Sequence, residues 1–331
     1  MNTRDHTKKA KGISVTLRSP SRVVLIGLNL VVYYFLYRWL TANIDPDRLA
    51  GYLKQIPDWA ILGSLSINIA ALSLYGVRMS LLLGRGFQDS FSIINIGYAL
   101  NTVMPLRLGE PLKLYLGHWL YSIPMAGLLA ASVMEKLVDL GKLLLLGGIV
   151  LAFAAGKIIQ INVLLPITVF GVAAIFAFIL FRIYIVRIVR MLPKGSRLRR
   201  LSIEVHKHAG DYSFGRILFV TTGIWILNIA LVYFTFNSYL PGVRIDLLDA
   251  VALLLILALA VAVPGAPGGL GFFEAGIVAY LTQKFHIDNE ESLAAAVVFH
   301  FVITVPQVIL TGWLIAKCNK VRRVRNSNLH G

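Results

Sequence analysis

Six apolar runs, 23–40, 59–83, 123–155, 163–186, 216–240 and 291–316, are each long enough to cross a bilayer, and they constrain this chain more than anything else in it. Hydrocarbon about 30 Å thick offers no water to backbone N–H and C=O groups, so a spanning chain satisfies them internally, as a helix or a closed barrel. Continuous apolar runs, rather than short alternating segments, predict helices. Composition agrees: 57% of the 331 residues are hydrophobic and 15% are charged, against about 45–50% and about 25% in water-soluble domains. The expected fold class is an all-α polytopic membrane protein.

Net charge is +16. A balance this basic also suits nucleic-acid binders. Here the Lys and Arg residues gather in three blocks, Arg4 to Arg22, Arg182 to Arg216 and Lys317 to Arg325, and each block abuts an apolar run. That distribution fits positive-inside bias and attraction to anionic headgroups, so membrane lipids are the expected partners and nucleic acid is not. All three blocks then face the cytoplasm, which puts both termini on the cytoplasmic side of the cell (inner) membrane. The expected organisation is a basic segment at 1–22, one transmembrane domain at 23–316 and a basic tail at 317–331. The run 23–40 lacks an Ala-x-Ala exit and reads as an uncleaved anchor. The lone Cys318 forms neither an internal disulfide nor a thiolate metal site, and no metal or cofactor is expected.

Threading the runs between these blocks makes 41–58 an external loop and leaves two segments that start and end on the same side. One is 84–122, broken at Pro105; the other is 246–283, broken in "AVPGAPGGLGFFEAG" at 262–276. Each arm is too short to span comfortably. Two re-entrant helical hairpins, dipping in from opposite faces, are expected beside about six full spans; eight spans with kinked helices are the alternative. Either way the halves 23–155 and 163–316 repeat one order of elements in opposite orientation, an inverted repeat. "PLRLG" from Pro105 and "PGGLG" from Pro267 are about 160 residues apart, as are "INIA" from Ile67 and "LNIA" from Leu227. Broken helices at corresponding places in an inverted repeat point to a transport site near the midplane.

Non-helical backbone at membrane depth needs protein or a water-filled cavity around it. A helix restarting near Gly269 offers free N–H groups and about half a positive charge, which suits phosphate or carboxylate. Close packing at a bend is the other reading of Gly268, Gly269 and Gly271. On the first hairpin, beside Gly109, Arg107 would add a planar two-pronged phosphate contact. Glu110 and Glu274 each follow a break, as proton carriers or as partners for Arg107 and backbone N–H groups. In "SVMEKLVDLGK", Glu135, Asp139 and Lys142 share a helix face and Lys136 reaches Asp139, so four charges cancel within one helix. Structural neutralisation and a polar stripe lining a cavity are both open there. His300, ahead of Pro306, is either an interhelical hydrogen bond or a proton relay, and Asn68 and Asn228 read as interhelical hydrogen bonds. The sequence has no His-Glu-x-x-His and no Gly-x-Ser-x-Gly. Its longest soluble stretch, 187–215, is too small for a catalytic domain. No enzyme activity and no catalytic residue are expected.

Arg107-Leu-Gly109-Glu110, then Glu135-Lys136-x-x-Asp139, then Pro267-Gly268-Gly269-x-Gly271-x-x-Glu274 resemble, in this order, the lysylphosphatidylglycerol synthase transmembrane-region family. These are flippase-like proteins, similar to the flippase half of the multiple peptide resistance factor, and the resemblance covers about residues 20–320. Lys136 stands where the family pattern has Arg; it keeps the charge and loses the fork. Two-part members continue into a soluble aminoacyl-transferase domain, whereas this sequence stops at Gly331, so lysyl transfer is not expected. The resemblance implies transport of a phospholipid or polyprenyl-phosphate-linked lipid between leaflets. The runner-up is a non-transporting scaffold or regulator of a lipid- or glycolipid-synthesis enzyme, and a lipid-transferring enzyme is third.

Overall fold

The structure, a computed structural model, describes Tyr34, Arg38 and residues 44–104, 108–155, 213–262 and 267–327. The expected span at 23–40 apart from Tyr34 and Arg38, the span at 163–186, the basic segment at 1–22, most of the basic loop around Arg200, and Arg107 lie outside the described residues. From residue 44 onward these form nine α-helices, with no strand among them. They are α1 Pro46–Gln55, α2 Asp58–Leu83, α3 Phe87–Val103, α4 Gly109–Tyr121, α5 Met125–Ala155, α6 Phe214–Tyr239, α7 Leu247–Ala262, α8 Phe272–Phe285 and α9 Asn289–Ser327; a 3₁₀ turn, Pro267–Gly269, precedes α8. Among the described residues, three helices are long and apolar enough to cross a membrane: α2, α6, and α9 over Asn289–Leu314. α5 is 31 residues long, but Glu135, Lys136, Asp139 and Lys142 interrupt its apolar run.

Both interrupted segments are pairs of short helices. α3 and α4 have 17 and 13 residues, α7 and α8 have 16 and 14. At 1.5 Å per residue the longest rises only about 26 Å, short of about 30 Å of hydrocarbon. Proline chemistry ends α3. Met104, just before Pro105, is extended at φ −97°, ψ 135°, because the proline ring disfavours helical backbone in the residue ahead of it. The second break uses glycine: Gly268, Gly269 and Gly271 have φ of 64°, 76° and 84°, a region that only glycine adopts without steric cost.

α2 packs most extensively on α6. Small residues make this approach close: a β-carbon on Gly63 would fall 2.5 Å from the Phe234 ring, and the hydroxyls of Ser64 and Thr235 lie 2.8 Å apart. Without a hydrophobic drive between helices in lipid, such close packing and polar contacts hold spans together. The other contacts come in matching sets. α2 meets α3 as α6 meets α7, α3 meets α4 as α7 meets α8, and α4 meets α5 as α8 meets α9; between the halves, α3 meets α9 as α7 meets α5. Outward positions carry large apolar side chains such as Leu62, Phe219, Ile226 and Ile309.

The stretch 41–58, expected as a loop, contains α1. Its start is an Asp-Pro-Asp signal: Asp45 accepts the N–H groups of Asp47 (2.9 Å) and Arg48 (3.4 Å), and Pro46 opens the helix. α1 is clasped to the start of α9. Arg48 pairs with Asp288 at 2.7 Å, the Tyr52 hydroxyl donates to the same carboxylate at 3.2 Å, and Asp45 N–H donates to Glu290 at 3.1 Å.

α9 runs through Pro306 without ending. Proline has no N–H, so the Val302 carbonyl, four residues earlier, loses its helical donor. Asn68 of α2 replaces it, its Nδ2 donating to the Val302 oxygen at 2.9 Å. Asn68→Leu should therefore cost about 1–3 kcal/mol, the desolvation penalty of an orphaned buried carbonyl. In a Pro306→Ala background, where the helix regains its own donor, the same substitution should cost clearly less. Thermal unfolding of the four proteins in detergent measures the difference; equal losses in both backgrounds would break the link between Asn68 and the proline.

Candidate functional site

The described structure gathers six charged side chains from three helices, Glu135 and five others around it. Glu135 has no exposed surface, and Arg78 of α2 and Lys113 of α4 are each 1% exposed. Glu135 Oε2 accepts from Lys113 Nζ at 3.2 Å. Its Oε1 accepts from Lys136 Nζ at 3.2 Å and the Tyr98 hydroxyl at 3.3 Å, and lies 3.6 Å from Arg78 Nη2. Arg78 makes a two-pronged contact with Asp139, 2.5 Å to Oδ1 and 3.0 Å to Oδ2. Glu110 bridges the two lysines: Oε2 lies 2.9 Å from Lys113 and Oε1 lies 2.9 Å from Lys136. Three cations face three carboxylates. The set is neutral, which is what makes its burial tolerable in a low-dielectric interior.

One side of this network is open. The Lys136 side chain is 51% exposed, Glu110 29% and Asp139 28%. Local packing shapes the rest. A β-carbon on Gly97 of α3 would fall 2.6 Å from the Lys113 stem, and one on Gly109 would fall 2.4 Å from the Asn101 backbone nitrogen. Both glycines are required by close approach: one makes room for the buried lysine, the other seats α4 against α3. Tyr75 and Tyr98 meet edge to face at 5.3 Å, with Arg78 over the Tyr75 ring at 5.2 Å and Lys136 over Tyr98 at 5.9 Å.

The charges at 135–142 cancel only in part within their own helix, where Lys136 meets Glu135, short of the full cancellation expected from the sequence. Lys142 points away and donates to the Thr222 hydroxyl on α6 at 2.7 Å, and Lys136 reaches Glu110 and Glu135 rather than Asp139. Neutrality needs Arg78 and Lys113 beside Lys136, and the sequence reading passed over both. The signal for Arg78 was there: a lone cation in the otherwise apolar α2 requires an acid from another helix.

At the second break, Glu274 turns back and accepts the Gly271 N–H at 2.7 Å, closing the start of α8. Its other oxygen lies 2.5 Å from His300 Nδ1 on α9, and the Phe273 and His300 rings are 4.4 Å apart. Glu274 thus takes a backbone N–H as partner, one of its expected roles, and His300 makes its interhelical contact with that same acid. The Gly271 N–H, expected to await an external anion, is already held by an internal one. The turn packs closely as well: Gly269 is buried, and a β-carbon on Gly268 would come 3.3 Å from the Thr102 carbonyl oxygen. Asn68 and Asn228 both bond across helices, Asn228 to the Tyr75 hydroxyl at 3.2 Å. Among the described residues, no group of His, Cys, Asp and Glu is arranged to hold a metal ion.

Removing Arg78 should strand two carboxylates. Arg78→Met is expected to destabilise by about 3–5 kcal/mol, the range for breaking one partner out of a buried pair. Adding Asp139→Asn should recover part of that loss, because one uncompensated charge goes with it. Thermal melts of detergent-solubilised protein report both, and a double variant no more stable than Arg78→Met would contradict the pairing.

Comparison with curated proteins and with solved structures found no match. The family model described as the lysylphosphatidylglycerol synthase TM region matches residues 24–311, a stretch that takes in both broken segments and the whole charge network. The chain belongs to the lysylphosphatidylglycerol synthase transmembrane-region family, whose members are lipid-related membrane proteins.

Proposed function

We propose that the chain is a flippase-like transporter that moves an anionic lipid, a phospholipid or a polyprenyl-phosphate-linked one, between leaflets of the cytoplasmic membrane. One observation carries this: a charge network, neutral overall and anchored on a fully buried carboxylate, that stays open at Lys136, Glu110 and Asp139 beside a helix break. A headgroup crossing hydrocarbon needs polar groups at depth to replace its water, and those groups must tolerate the empty state. A neutral cluster with cations at its edge meets both needs. Arg107 belongs to the same break by sequence, and Gly109, which opens α4 one residue before Glu110, lies close against Asn101.

The matching helix contacts of 44–155 and 213–327 support an inverted repeat, and the short arms of α3–α4 and α7–α8 support re-entrant hairpins. The clasp between α1 and the start of α9 fits a shared external side for both. In a Cys318→Ser background, Asp47→Cys and Asp288→Cys should then react with an impermeant thiol reagent added to intact cells, and Ser196→Cys should not. Labelling at 196, or none at 288, would overturn the arrangement.

Lipid movement of this kind involves no covalent step. Purified protein in liposomes should bring fluorescent phosphatidylglycerol to the outer leaflet, read by dithionite quenching, faster than protein-free liposomes do. Arg78→Met should reduce that rate. Lipid binding without exchange would instead favour a scaffold or regulator of a lipid-synthesis enzyme.

A further inference from the structure

Glu110, Lys113, Glu135 and Lys136 form a closed ring of alternating charge. Lys113 contacts one oxygen of each carboxylate, Glu110 Oε2 at 2.9 Å and Glu135 Oε2 at 3.2 Å; Lys136 contacts the other oxygen of each, at 2.9 and 3.2 Å. The two acids are not equivalent. Glu135 has no exposed surface and is held also by Tyr98 and Arg78. Glu110 is 29% exposed and its ion-pair partners are these two lysines alone among the described residues.

We propose that the paired ammonium groups of Lys113 and Lys136 are the phosphate cradle, and that Glu110 is a tethered stand-in for the phosphate, displaced when a headgroup binds. This deepens the transport reading above and rests on it. Glu110 presents two oxygens to two lysines, and a phosphodiester presents two free oxygens with the same single negative charge. A phosphate arriving while Glu110 stays seated would add an uncompensated negative charge in a low-dielectric site. Exchange of one for the other leaves the charge unchanged. Glu135 stays behind and holds both lysines in place. When the lipid departs, Glu110 reseats and the lysines are never left unpaired. That return separates a carrier, which must release its cargo, from a trap.

The expected signature runs against intuition: removing an acid strengthens binding and slows release. Full-length Glu110→Gln in detergent, titrated calorimetrically with short-chain phosphatidylglycerol, should bind roughly tenfold more tightly than the wild type, with slower lipid exchange in liposomes. Lys136→Met, at a half-exposed side chain, should bind roughly tenfold more weakly, and adding Glu110→Gln to it should recover little, since half the cradle is gone. Inorganic phosphate is the second probe. A gain for both probes supports a cradle that reads phosphate itself, and a gain for the lipid alone supports one that reads the whole headgroup. Folded Glu110→Gln with wild-type or weaker affinity for both probes overturns the exchange, as does wild-type affinity in Lys136→Met. Because affinity is read without transport, wild-type protein that moves no lipid would overturn the transport reading separately.

Discussion

A carboxylate with no exposed surface sits at the junction of α2, α3, α4 and α5, and the first half of the structure is organised around keeping it charged. Isolated, Glu135 would be prohibitively costly to hold ionised in a membrane interior. It is held because each of four helices contributes: Arg78 from α2, Tyr98 from α3, Lys113 from α4, and Lys136 from its own helix. No two of these partners outside α5 share a helix. The network therefore specifies which helices meet and in what register, information that apolar packing in lipid supplies only weakly. The cost is that each partner is needed by the others, so the network stands or falls together.

The two breaks face one problem, an interrupted helix whose restart leaves N–H groups unsatisfied. Each places a glutamate in the first turn of the restarted helix, Glu110 in α4 and Glu274 in α8. Their solutions diverge. Glu274 closes on its own turn through Gly271 N–H and is fixed by a single histidine, in a loop of three positive-φ glycines packed against α3. Glu110 reaches outward to two lysines on different helices and keeps part of its surface open. Of the two breaks, the second is built as a closed joint, and the first holds its acid in ion pairs that are partly open.

The parts of the fold legible in sequence were those set by local chemistry. Apolar run length gave α2 and α6 to within two residues and the start of α9, which continues past the expected end to Ser327, and Pro105 and the glycines at 268–271 marked the breaks. α1 was missed because it is only ten residues long and polar overall, so no apolar run marks it, and its place depends on Asp288, 240 residues away from Arg48. Pairing within the charge network was misread for the same reason. Spacing along α5 put Lys142 beside Asp139, but a lysine stem is long enough to choose among helices, and Thr222 on α6 was the partner it met. Arg78 could have been flagged by its setting, yet which acid it meets is fixed only once α2 and α5 are packed. The role of Asn68 needed two distant facts at once, a proline in α9 and the carbonyl it orphans.

α3 connects the two breaks. Its Tyr98 donates to Glu135 in the charge network, and its Thr102, one turn later, lies against Gly268 of the second break. The Thr102 hydroxyl donates to the Tyr98 carbonyl at 3.1 Å, so the two positions are bonded as well as adjacent. The next contact is Asn101, whose backbone seats Gly109 at the start of α4. Within five residues α3 thus touches the buried acid, the restart of the first hairpin and the turn of the second. Tightly packed interiors transmit displacement rather than absorb it. A shift of α4 that accompanied unseating Glu110 would be felt at Asn101 and, through the same helical turn, at Gly268, whose positive φ and packing against Thr102 suit glycine. Glycines at both ends of this contact, Gly109 against Asn101 and Gly268 against Thr102, let the restarts of both breaks lie close to one helix.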